Sequence, residues 1–148
     1  MLIVLCGIPG SGKSTFSKQL AEKHNALLYS YDTLPKANTF RYAESVRCQM
    51  WHDIAQDLSN GKSVVCDDLH TRLKWRSGLL SAISENKCRK VLIVLTTPYE
   101  ECLQRNANRR FRLPDIFLEH SQNTFEHPTL AEGWDEIVYI DTREEVPL

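Results

Sequence analysis

Gly7, Gly12, Lys13 and Ser14 stand at the spacing G-x-x-x-x-G-K-[ST] in Gly7-Ile8-Pro9-Gly10-Ser11-Gly12-Lys13-Ser14. Each residue type there has a chemical reason. Glycines let the backbone wrap so that successive N–H groups point at phosphate oxygens, and a helix starting at the motif adds the positive end of its dipole. A lysine brings a full charge to the β- and γ-phosphates, and a serine hydroxyl ligates Mg²⁺. Residues 7–15 therefore predict a cradle for ATP with Mg²⁺, built from Gly7, Pro9, Gly10, Ser11, Gly12, Lys13, Ser14 and Thr15, with Ser14 on the metal.

Three further groups carry charge suited to phosphoryl transfer. Asp32, in Tyr29-Ser30-Tyr31-Asp32, follows an apolar run and reads either as a base for an attacking hydroxyl or as a turn residue. Asp67 and Asp68 follow Val64-Val65-Cys66, where a strand-end carboxylate would hold the waters of Mg²⁺, or the pair would form a solvated turn. Strand alternation predicts that only one of the two points inward and does not say which. Arg105, Arg109, Arg110 and Arg112 fall within eight residues, and such cations offset either the charge of a transition state or the dipole at a helix end.

The elements that position these residues alternate. Apolar runs predict strands over 2–6, 26–31, 63–66, 91–97 and 137–140, the first continuous enough to be covered on both faces. Helical spacing predicts 14–24, 40–58 with Val46, Met50, Ile54 and Leu58 in one stripe, 71–85 with Leu79, Leu80 and Ile83 inward, 99–105, and a short helix from Pro114 to about Thr124. Strands alternating with helices predict an α/β fold: a parallel five-stranded sheet with helices on both faces, whose ligands bind beyond the carboxyl ends of the strands. Gly7, Asp32 and Asp67/Asp68 all follow strand ends, so that edge gathers them.

Composition sets the outer bounds. A chain of 148 residues with 42% apolar and 25% charged residues suits one domain over 1–148 with its own core. A net charge of −1 gives no global attraction to polyanions, so any such site must be a local patch. The five cysteines lack C-x-x-C spacing, and Cys6 and Cys66 lie in apolar runs, which predicts buried thiols in a reducing, cytoplasmic setting. The apolar start breaks at Gly7, too short for a membrane span, and no histidine pair has zinc-ligand spacing. Trp51, Trp75 and Trp134 are expected to pack rather than to stack on bases.

Several segments together resemble the P-loop polynucleotide-kinase-like kinases, which include 5′-hydroxyl polynucleotide kinases and, more distantly, seryl-tRNA(Sec) kinases. They are residues 7–16 (GIPGSGKSTF), Tyr31-Asp32-Thr33-Leu34, Cys102-Leu103-Gln104-Arg105-Asn106 with Arg109 and Leu113-Pro114, and residues 125–134 (FEHPTLAEGW). The resemblance implies an arginine-bearing lid, Asp32 as general base, Arg109 as the transition-state arginine and Arg105 beside the nucleotide. It implies Asp67 at the metal, and Asp68 and His70 at the acceptor, with His70 standing where the family carries an amide. Where its 5′-hydroxyl kinases carry an arginine three residues after the base, this chain has Pro35 and then Lys36, the nearest cation for an acceptor phosphate.

The function implied is transfer of the γ-phosphate of ATP to a hydroxyl of a nucleic acid or nucleoside-like acceptor. A kinase for a nucleoside, sugar or antibiotic is the alternative of the same class. A nucleotide-dependent switch or ATPase module is the alternative of another.

Overall fold

A computed structural model describes residues 1–30 and 40–144, with side chains from Glu44 onward in the second stretch. The elements run β1 (Leu2–Cys6), α1 (Lys13–Lys23), β2 (Leu27–Ser30), α2 (Phe40–Ser59), β3 (Val64–Asp67), α3 (Leu73–Ala82), β4 (Lys90–Leu95), α4 (Tyr99–Ala107), α5 (Asp115–Asn123), a 3₁₀ turn (Leu130–Glu132) and β5 (Glu136–Ile140). All four strand pairings are parallel, in the order β2-β3-β1-β4-β5. This is the α/β architecture that the alternating pattern predicts.

Strand β1 shows why its run had to be wholly apolar. Leu2, Val4 and Cys6 pack on one face against Met50, Ile54 and Leu58 of α2, Leu79 of α3 and Ile83 just after it. Ile3 and Leu5 pack on the other against Phe16, Leu20 and Ala21 of α1. Side chains alternate across a strand, so a central strand buried on both faces has no polar positions to spare. The α2 stripe is buried at Met50, Ile54 and Leu58. The Trp51 ring lies against Gly78 of α3, where a β-carbon would collide with it.

Several boundaries differ from expectation, most of them by one or two residues. Helix α3 is shorter at both ends than 71–85, because Ile83 already has a non-helical backbone and Asn86 is anchored on α2 by bonds to the Ala55 carbonyl and the Ser59 hydroxyl. Asp67 closes β3 in register with Leu5 and Ser30, and Asp68 lies beyond the strand. Asp32, Pro35 and Lys36 lie outside the described residues.

Candidate active site

The carboxyl ends of β1 and β3 open into a cavity of about 430 Å³ lined by the cradle, Arg47, Asp67, Asp68, Leu69, Arg105, Arg109 and Leu113. From the cradle, Pro9, Gly10, Gly12, Lys13, Ser14 and Thr15 face it. Gly10 and Gly12 have φ of 83° and 97°, the left-handed region where a side chain is strained. A β-carbon on Gly10 would also stand 2.6 Å from the Cys102 carbonyl oxygen. Gly7 and Ser11 do not line the cavity. They sit buried behind it, and a β-carbon on Gly7 would stand 2.6 Å from Ser11 Oγ, so their part is to shape the loop.

The cradle fits an anionic ligand on its own geometry. Helix α1 begins at Gly12 with no side-chain cap on its first N–H groups, the donors that a phosphate satisfies. Lys13 Nζ donates to the Ile8 carbonyl at 2.9 Å, which keeps the ammonium over the loop. Among the described residues no group of three or more His, Cys, Asp or Glu side chains forms a metal cage. Ser14 and Asp67 on the cavity suit a cation that keeps most of its waters, as Mg²⁺ does.

Several side chains fix this frame, Ser17, Thr97 and Thr142 among them passed over by sequence reading. Ser17 is fully buried, with Oγ 3.1 Å from Asp67 Oδ2 and 3.0 Å from the Ser14 carbonyl. Thr97 and Thr142 both reach the Ser11 carbonyl, at 3.0 and 2.8 Å. Their shared target follows from register, because Leu95 pairs with Ile140 and each threonine lies two residues further on. Arg105 donates to Thr142 Oγ1 at 2.7 Å and to Glu101 at 3.2 Å, which sets its guanidinium over Gly12.

Both acids at the end of β3 line the cavity and both are buried. The expectation that only one turns inward is corrected: alternation applies to Asp67, whereas Asp68 has left the strand and turns independently. Asp68 accepts from Arg47 Nε at 2.8 Å and from the Leu69 amide at 2.7 Å. The Arg47 guanidinium lies 4.1 Å from the centre of the Trp75 ring. Burial works against the charge on Asp68, but His70, Arg47 and the Leu69 amide outweigh it and hold the carboxyl below its usual range.

The structure does not bring the His70 ring to the cavity. The ring is 1% exposed, is absent from the cavity lining, and has Nδ1 2.9 Å from the Leu5 carbonyl. Burial holds His70 below its ordinary pKa against the pull of Asp68. The residue acts through its backbone, at φ 48°, and its carbonyl accepts from the Cys6 thiol and from Arg76 Nη1 at 2.9 Å. Burial pushes the Cys6 thiol up to about 12, which keeps its proton in place.

Arg76 is the main omission of the sequence reading. It is fully buried on α3 and pairs twice with Glu132, at 2.9 Å each. Glu132 also accepts from Trp134 Nε1 at 3.0 Å and the Thr129 amide at 3.2 Å. The C-terminal signature thus reaches the cavity indirectly, through Arg76, to the loop carrying Asp68. The signal was present: Arg76, Leu79 and Ile83 share one helical stripe, and a cation in a buried stripe requires a buried anion. Arg76→Met leaves Glu132 with no cation and is expected to cost about 3 kcal/mol or more of unfolding free energy, with Arg76→Met/Glu132→Leu regaining most of it. Urea melts read this, and a loss below about 1 kcal/mol for the single variant would contradict it. Burial opposes the Glu132 charge, and Arg76 with Trp134 outweighs it, so its carboxyl lies below its usual range. The pair's contribution is full above about pH 4.3 and is lost as pH falls through that lowered value.

The lid follows α4. Asn106 is buried, with Nδ2 donating to the Leu113 carbonyl at 2.7 Å and Oδ1 accepting from the Leu113 amide at 3.1 Å. These two bonds close 107–112 into a loop on a pinned neck. Arg109 lines the cavity, whereas Arg110 and Arg112 do not.

A family described as an AAA domain matches residues 2–128. The chain belongs to that family. This AAA-domain chain is 30% identical over 155 residues to the L-seryl-tRNA(Sec) kinase of Methanococcus maripaludis, across 99% of the chain. It spans 61% of that curated relative's length. Its fold is shared with a sugar kinase from Janibacter sp. at a TM-score of 0.75 and 17% identity, over 97% of this chain and 86% of that one. It is also shared with a fungal RNA kinase at a TM-score of 0.71 and 13% identity, over 95% of this chain and 38% of that one. The resemblance to P-loop kinases read from the motifs stands. No described helix is long and apolar enough to cross a membrane.

Proposed function

We propose that the chain is an ATP-dependent kinase that transfers the γ-phosphate to a hydroxyl of a nucleic acid or nucleoside-like acceptor. The observation that carries this is one cavity lined by two sets of charged groups. Lys13, Ser14, Arg105 and Arg109 surround the place for a triphosphate, while Arg47 and Asp68 line the same cavity from α2 and the β3 exit. A switch needs only the first set.

In the proposed reaction the acceptor oxygen attacks the γ-phosphorus, the bond from that phosphorus to the β–γ bridging oxygen breaks, and ADP leaves. Asp32 takes the hydroxyl proton. Its place is supported by Ser30, two residues earlier, which is in register with Asp67 at the same sheet edge. Lys13 and Arg109 stabilise the charge spread over the transferring group. Ser14 and, through water, Asp67 would hold Mg²⁺, which would supply further neutralisation of the phosphates. Lys36 remains the candidate for the acceptor's neighbouring phosphate, now joined by Arg47.

The reading is tested by offering γ-labelled ATP with a panel of DNA, RNA, tRNA, nucleosides and sugars. Label transferred to a polynucleotide or nucleoside hydroxyl supports it. Stable, partner-stimulated ATP hydrolysis with no labelled acceptor overturns it in favour of the switch. Arg109→Ala is expected to lower kcat about tenfold or more with little change in ATP affinity, because its contact strengthens as charge develops. An equal loss of ATP affinity at unchanged kcat would make it a ground-state clamp instead.

A further inference from the structure

The lid carries more than the transition state asks of it. Phe111 is 78% exposed, and Ile116 and Phe117 just after the neck are 68% and 56% exposed. An exposed large apolar side chain beside a functional cavity points to an interaction site. They do not belong to an unformed loop, because Asn106 pins both strands of the neck and Arg112 is paired with Asp115 at 3.0 Å. The segment 105–112 contains four arginines and no acidic residue in a chain whose net charge is −1. The Arg110 guanidinium lies 5.5 Å from the Phe111 ring centre. Arg109 and Leu113, on either side of the tip, both line the catalytic cavity, so the tip stands at its mouth.

From this juxtaposition we infer that the lid tip is a docking surface for an unpaired stretch of the acceptor polynucleotide, one base stacking on Phe111 and a neighbouring phosphate meeting Arg110. An aromatic face flanked by a guanidinium is the combination that holds single strands without reading their sequence. A nucleoside or sugar acceptor would end inside the cavity and leave these side chains unused. The inference rests on the nucleic-acid reading of the proposed function and narrows it to acceptors long enough to leave the cavity.

The test is direct binding of a fluorescent twelve-nucleotide single strand to the intact protein, with Phe111→Ala and Arg110→Ala as variants. Phe111→Ala is expected to weaken binding about tenfold. Arg110→Ala should flatten the dependence of log affinity on log salt by about 0.7. A blunt duplex of the same sequence, whose bases offer no free face, should be indifferent to Phe111. Nucleotide affinity and melting temperature should stay unchanged, since both side chains are exposed. Unaltered single-strand binding overturns the inference, and so does a matching loss of nucleotide affinity, which would make Phe111 a cover for the nucleotide. If strand binding depends on Phe111 but no hydroxyl is ever phosphorylated, the surface stands and the kinase reading falls. If oligonucleotides are phosphorylated with full indifference to Phe111, the reverse holds.

Discussion

Asp32→Asn is expected to slow transfer to the acceptor hydroxyl by about 10²- to 10⁴-fold, the range of a positioned general base. The change keeps the side chain's shape and removes its basicity, so the attacking oxygen keeps its proton as the bond to phosphorus forms. ATP binding should survive, because the cradle from Gly10 to Thr15 belongs to α1 and the turn before it. Transfer and hydrolysis measured at saturating ATP separate the two classes of function. A switch in which Asp32 is only a turn residue would turn over ATP at nearly the wild-type rate. Near-normal transfer to an acceptor would remove Asp32 as base.

Lys13→Ala should abolish transfer. The ammonium is held over the loop by the Ile8 carbonyl, so the charge is in position without reorganisation when the bridging bond breaks. Removing it takes away stabilisation of both the transferring and the leaving groups. Retention of more than about a tenth of wild-type kcat, which corresponds to a loss under ~1.4 kcal/mol, would sink the role. Single-turnover measurement with a fixed acceptor keeps this separate from any change in product release.

The frame of the site was legible because periodicity and motif agreed. The run 2–6 could only be a central strand, and a G-x-x-x-x-G-K-S turn after such a strand has one common use. What escaped were side chains whose partners lie far away in sequence. Arg76 and Glu132 are 56 residues apart, and Thr142 meets the Ser11 carbonyl across 131 residues. Such pairs become visible only once strand register and helix placement are known. Arg47 was passed over because it adjoins the apolar stripe of α2, where one more charge reads as solvated. The place of the His70 ring escaped for the opposite reason: nearby Asp68 faces the cavity, and nothing local told that the next turn would carry the ring beneath β1.

The neck closed by Asn106 and Leu113 gives the lid a property of its own as material for change. Its two bonds tie the segment's ends independently of what lies between, and α4 and α5 pack through Ile8, Cys102 and Leu118, not through the tip. Doubling the length of a loop so closed costs only about 0.6 kcal/mol. Beyond Arg109, which the chemistry needs, the tip is therefore an exchangeable cassette: Arg110, Phe111 and Arg112 can be recharged or replaced while the phosphate cradle keeps its shape, which leaves this chain's chemistry fixed and its clientele open to revision.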